Sequence, residues 1–180
     1  MNRFMLSLLL TILLMPVPAL AQEPPVFDVE VIVFRHVEAD NTELPSYDRD
    51  AEDNEATPVR RRRYPALSAD ELRLGGAAQR LLSSSEWSPI LHAGWRQPTD
   101  SREEAAAMSV AGTRRGASVR GTVRVSVDRF LRMEVDLQLD GGTGDTFSLT
   151  QARRVRSGEV HYFDHPQFGV IATVNPAPAP

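Results

Sequence analysis

The chain has 180 residues, with 20 Arg and no Lys against 24 Asp and Glu, a net charge of −4, 42% hydrophobic residues and no cysteine. A chain of this size buries roughly 70% of its unfolded surface and folds without a disulfide or a metal. The missing cysteine excludes a disulfide scaffold, a thiolate zinc site, an iron–sulfur cluster and a Cys nucleophile, and the missing lysine excludes Schiff-base chemistry and a phosphate-binding P-loop.

Met1 to Ala21 has the form of a secretory signal. Arg3 supplies the positive end, Met5 to Met15 is apolar apart from Ser7 and Thr11, and Ala19-Leu20-Ala21 has the small-x-small cleavage pattern. The apolar run is shorter than the about 20 residues that span a bilayer, and Pro16 and Pro18 interrupt it. Cleavage after Ala21 would leave a periplasmic chain from Gln22 with no integral membrane segment, and without cysteine no lipid anchor can form there. Residues 22–174 are expected to make a single α+β domain, with a mobile acidic and Arg-rich insertion at 38–66 and a Pro/Ala tail at 175–180. Glu38 to Glu55 is acidic with few apolar residues, which cannot offset its ordering entropy, and it runs into Arg60-Arg61-Arg62-Arg63. That Arg run is either a solvated linker or an anion-binding patch.

Phe27 to Arg35 alternates Phe27, Val29, Val31 and Val33 with Asp28 and Glu30, then places Ile32 and Phe34 on the second face, as a central strand covered on both sides would. Ser68 and Glu71 match a capping box, and Leu74, Ala78, Leu81 and Leu82 follow at helical spacing, predicting a helix over 69–84 that Gly75 and Gly76 weaken. Val119 to Val127 and Leu131 to Leu139 alternate strictly and predict two half-buried antiparallel strands with a turn at Asp128-Arg129. A Gly-rich turn at 140–145 leads to a strand over 146–156, and Phe168 to Val174 gives a last apolar strand. The expected architecture is α+β: an antiparallel or mixed sheet of five to six strands with one main helix packed on one face.

Three stretches could carry chemistry. His161, Asp164 and His165 have spacing close to an inverted zinc-protease motif, but Pro166 pushes His165 out of helical geometry, and a structural turn or a ligand loop competes with a metal site. Trp95, Arg96 and Gln97 combine an apolar plate, a bidentate fork and an amide, which suit sugars bearing short peptides, while simple packing of Trp95 on the sheet is the plainer alternative. Trp87 is expected in the core. Over 146–156, Arg153 falls on the face that carries Phe147, Leu149 and Val155, so it needs a partner, either a carboxylate such as Glu159 or Glu30 or that of a ligand. No nucleophile motif is present, and the acidic balance together with the export signal argues against nucleic acid.

The stretches Trp95-Arg96-Gln97-Pro98, Arg153 to Pro166 with its Tyr162-Phe163-Asp164-His165 core, and Phe168-Gly169-Val170 carry a resemblance to the CsiV family of periplasmic peptidoglycan-binding proteins, and Val29 to Arg35 resembles that family's first strand. The resemblance implies peptidoglycan binding in support of an outer-membrane lipoprotein that activates a penicillin-binding synthase, with no catalytic residue and no cofactor. Trp95, Arg96, Gln97, Arg153, Tyr162, Asp164 and His165 form the candidate ligand-binding set. The alternatives are a metal-dependent cell-wall hydrolase using His161, Asp164 and His165, and an adaptor whose acidic loop binds a basic partner without touching the wall.

Overall fold

The first alternating run forms β1 (Val26–His36), whose Val29, Val31 and Val33 are fully buried on one face. Ile32 and Phe34 are buried on the other, so both faces are covered and the strand lies inside its sheet. The computed structural model describes residues 25–37, 61–98, 100–142 and 144–178. The expected signal at 1–21, the acidic loop at 38–55 and Arg60 lie outside the described residues.

After β1 come β2 (Arg61–Arg62), α1 (Gly75–Leu82), β3 (Trp87–Pro98), β4 (Ala107–Arg114), β5 (Ala117–Val127), β6 (Leu131–Asp140), β7 (Thr146–Arg154), β8 (Val160–His165) and β9 (Phe168–Pro176). One sheet has the order β3-β1-β9-β8 and is antiparallel throughout. The other has the order β2-β4-β5-β6-β7, antiparallel except that the two-residue β2 lies parallel to β4. The inner faces of both sheets share one core, in which Val29, Trp95, Phe163 and Val174 belong to the first sheet and Val123, Met133, Val135 and Leu137 to the second. The expected single sheet with a main helix is therefore corrected to two sheets face to face and one eight-residue helix among the described residues. The added strands β3, β4 and β8 show no clean apolar alternation. β3 carries a register shift opposite Val33/Phe34 and presents His92, Gly94 and Arg96 on its outer face, where a polar surface would ordinarily indicate loop.

The helix starts later than its sequence pattern, at Gly75, and a distant residue holds the chain just before it. Glu30, in the middle of β1 and only 2% exposed, accepts hydrogen bonds from the backbone N–H groups of Arg73 (2.7 Å) and Leu74 (2.9 Å), and its Oε1 lies 2.7 Å from His92 Nε2. The carboxylate thus serves the free donors at the start of α1, a role the capping box was expected to fill. Half of the box forms, with Glu71 Oε2 accepting from the Ser68 N–H (2.8 Å) and hydroxyl (2.7 Å), but the Glu71 N–H donates to the Ser68 carbonyl (3.1 Å) and the pair closes a turn ahead of α1. Leu74, Ala78 and Leu81 then pack α1 onto Ile32 and Phe34.

Two boundaries also shift. The chain from Arg61 onward already lies on the fold, with β2 paired to β4, Tyr64 buried and Ala66 bridged to Trp95, although an insertion was expected through residue 66. Asn175 and Pro176, assigned to the tail, are the last residues of β9, opposite Asp28 and Phe27. At the seam between the sheets, side chains replace a backbone ladder: Gln151 Nε2 donates to the Asp164 carbonyl (2.9 Å) and Arg153 Nη1 to the Tyr162 carbonyl (2.8 Å), which protects the open edge of β8.

Candidate functional site

Trp95, Arg96 and Gln97 sit near the C-terminal end of β3, where the alternation of the strand sends Trp95 and Gln97 into the core and Arg96 to the outer face. Trp95 is 0% exposed and its indole N–H donates to Gln97 Oε1 at 2.6 Å. Gln97, 1% exposed, donates in turn to the Val125 carbonyl across the core at 3.4 Å. Arg96 grips Asp28 with Nε (2.7 Å) and Nη2 (3.0 Å), and the same Nη2 reaches Glu71 at 2.9 Å. The Asp28 bonds raise the guanidinium above its ordinary pKa, and Glu71 adds to the effect against the desolvation of the group. All three candidate residues are thus committed to partners inside the protein.

The hydrogen bonds from the Ser68 hydroxyl and N–H, followed by that from Arg96, hold the Glu71 carboxyl down at about 2, well below the ordinary 4.5. Because the folded pKa lies below the unfolded one, the stability these contacts supply is complete above about pH 4.5 and is lost as pH falls toward 2. The urea midpoint should therefore decline across that window, and Glu71→Gln should flatten part of the decline; an identical pH profile in the variant would contradict this assignment.

β8 places the other candidates. A strand rises about 3.3 Å per residue, which puts His161 and His165 roughly 13 Å apart, and Asp164 points to the opposite face. The two histidines accordingly have separate partners. His161 Nε2 accepts from the Arg156 N–H at 3.1 Å, and His165 Nδ1 accepts from the Gln167 N–H at 3.1 Å, fixing the turn at Pro166-Gln167. Among the described residues no three His, Asp or Glu side chains are grouped to hold a metal ion. Burial, with a smaller push from His36, lowers the pKa of His165 against the pull of Asp164, so the ring is neutral near pH 7. Arg153 is exposed and is partnered by the Tyr162 carbonyl, by Gln151 Oε1 (3.0 Å) and by the Phe163 ring, 4.6 Å from its Cζ; neither Glu159 nor Glu30 pairs with it.

Tyr162 and Asp164 stand on the outer face of β8 and belong to a group that spans its sheet. The Tyr162 ring lies parallel to Phe34 of β1 (centroids 6.2 Å apart, 15° between planes), and Trp87 of β3 meets Phe34 edge-on at 6.3 Å. Between the strands of Phe34 and Tyr162 runs β9, whose Gly169 leaves the gap that Tyr162 fills. A Cβ there would come within 2.7 Å of the Tyr162 ring and 2.8 Å of Phe34, so only glycine allows the tyrosine to lie flat across the sheet. Phe34 is 4% exposed, while Trp87 and Tyr162 are each 42% exposed, so two aromatic plates face solvent around a buried hub. The Tyr162 hydroxyl donates to Asp164 Oδ1 at 2.7 Å; burial, then this bond and the charge of Asp164, push its pKa up to about 12 and keep it a donor. His36 stacks on Phe34 at 5.9 Å at the rim, where its Nε2 has no partner among the described residues.

Of the seven expected ligand residues, the structure gathers Tyr162 and Asp164 on this face, while His165 lies at the same end of β8 but on the opposite face, against Phe147 and Phe168. Trp95, Arg96 and Gln97 lie toward the far end of β3, roughly 25 Å or more along the strand from Trp87. Phe34, His36 and Trp87 complete the group and did not stand out in the sequence, where Trp87 was expected in the core. One signal for Trp87 was present: it precedes Pro89 at a strand start, where a ring has a sheet edge beneath it and open solvent above.

A plate of aromatic rings beside a carboxylate suits a ligand with apolar ring faces and hydroxyl or amide donors. No helix among the described residues is long and apolar enough to cross a membrane. Neither the curated proteins nor the solved structures contain a match to the chain. The family described as peptidoglycan-binding protein, CsiV, matches residues 49–177, which take in every element from β2 to β9 and leave β1 before the match. That match covers more than half of the sequence, and the chain belongs to the CsiV family of peptidoglycan-binding proteins.

Proposed function

We propose that the protein is a non-catalytic periplasmic accessory factor that holds the glycan of peptidoglycan on the aromatic row of its four-stranded sheet and supports wall synthesis through a partner lipoprotein or synthase. The observation that carries the reading is the exposed pair Trp87 and Tyr162 around Phe34, with Asp164 alongside. Amino sugars present apolar C–H faces to such rings, while their hydroxyl and acetamido N–H groups are donors for an exposed carboxylate. Family membership supports an envelope address, and the apolar start at 1–21 supports export.

Pelleting with insoluble sacculi tests it. An aromatic contact is worth about 0.5–1.5 kcal/mol, so Trp87→Ala and Tyr162→Ala together should weaken binding on the order of tenfold or more while the melting temperature changes little in the exposed Trp87→Ala variant. A double variant that pellets as the parent does would remove the aromatic row from the binding surface, and a parent that stays in solution would favour the adaptor reading.

A further inference from the structure

The outer face of the five-stranded sheet carries a feature that wall binding through the aromatic row leaves unused. Around the β5–β6 turn, three arginines contact two carboxylates and two more lie beside them without one. Glu134 is shared by Arg124 (Nε at 2.8 Å), Arg132 (3.1 Å) and Arg102 (3.2 Å), and Asp128 Oδ1 accepts the Arg102 N–H at 3.1 Å. Burial pushes the Glu134 carboxyl up, yet the three guanidiniums hold it below the ordinary range, so it stays ionised. Arg154 and Arg129 have no carboxylate partner among the described residues. Instead their guanidiniums lie 3.6 and 5.3 Å from the centroid of Phe130, an exposed ring at the turn.

Arg154 also stands directly opposite Arg132 on the β6–β7 ladder. Like charges at that spacing destabilise a sheet, and an anion placed between them would reverse the sign. Next to this cluster, sharing its Arg124 and Glu134, a polar trough crosses the sheet. One depression of about 290 Å³ is lined by Arg124, Thr122, Asp136 and Thr150, and it shares Thr122 and Asp136 with another of about 470 Å³ lined by Ser109, Arg120 and Gln138. Hydroxyls, amides and carboxylates along such a floor match the alternating donors and acceptors of an extended peptide.

We infer that this trough, with Arg129 and Arg154 in the cluster next to it, binds the carboxylate-bearing stem peptides of peptidoglycan. The inference rests on the wall-binding reading and adds a second subsite on the opposite sheet from the aromatic row. The excess positive charge selects a ligand with more than one carboxylate, and the planar forks of arginine suit them.

The test compares intact sacculi with glycan strands freed of their stem peptides by an amidase. Arg129→Gln with Arg154→Gln should weaken binding to intact sacculi at least about tenfold and reduce its loss between about 0.05 and 0.3 M salt. Binding to peptide-free strands should not change, whereas Trp87→Ala should weaken both substrates. Arg129→Lys with Arg154→Lys should retain part of the affinity, because the charge remains while the fork is lost. Double-Gln protein that binds intact sacculi as the parent does would overturn the subsite and leave the aromatic row standing. A defect seen only with phosphatidylglycerol vesicles would assign the arginines to lipid phosphate and overturn it as well. A parent that binds neither wall substrate would overturn the subsite together with the wall-binding reading.

Discussion

Glu30→Ala is expected to melt on the order of 10 °C below the parent protein. The carboxylate is buried at the centre of β1 and has three donors around it, the N–H groups of Arg73 and Leu74 and the ring of His92. Removing one partner of a buried charged cluster typically costs about 3–5 kcal/mol, since the groups left behind stay desolvated and unpaired. For a chain of this length each kcal/mol lowers the melting temperature by about 2–4 °C. Glu30→Gln should recover only part of the loss, because its amide turns a donor toward donors. The loss should be concentrated at α1, so hydrogen exchange at Gly75 to Leu82 should accelerate more than exchange in β5 and β6. A melting temperature within a degree or two of the parent would show that α1 does not depend on this carboxylate.

Trp95→Ala is expected to be of similar or larger effect. The indole is fully buried between the sheets, and truncating a core tryptophan costs about 3–5 kcal/mol through lost burial and the cavity left behind. It also strands Gln97 Oε1, a buried acceptor whose partner is the indole N–H, for about 1–3 kcal/mol more. Trp95→Phe shifts the balance between the two contributions, since it keeps a six-membered ring in the core and loses the pyrrole part together with its donor. Urea unfolding of both variants, with the slope checked for constancy, measures the difference. Equal midpoints for Trp95→Phe and the parent would mean that the pyrrole part and its bond to Gln97 together contribute nothing net.

The two residues also show why the sequence was readable in some places and opaque in others. Alternation is a local property, so β1, β5, β6, β7 and β9 stood out wherever one face was apolar and the other polar or also covered. β3 did not, because its outer face is polar on purpose of pairing: Arg96 and His92 there have Asp28 and Glu30 as partners, 68 and 62 residues away. Seen without those partners, His92, Gly94 and Arg96 resemble loop, and the Pro89 and Gly94 within the strand strengthen that impression. β8 misled for a related reason. The spacing of His161 and His165 suggests a helix face or a turn, while the hydrogen bonds of β9 on one side, and of Gln151 and Arg153 on the other, hold the segment extended.

The candidate site divides in the same way. Tyr162, Asp164 and His165 could be singled out because they are clustered in sequence. Phe34, Trp87 and Tyr162 are separated by more than fifty residues at each step, and only the strand order β3-β1-β9-β8, with Gly169 making room, brings their rings into one row. By itself the sequence determined the composition, the exclusions that follow from having neither cysteine nor lysine, the five alternating strands, the turns between them and the residue stretches that resemble the family. The tertiary structure decided the number of sheets, the start of α1, the burial of Trp95 and the commitment of Arg96, because each depends on a partner 25 to 68 residues away whose energy no local pattern contains.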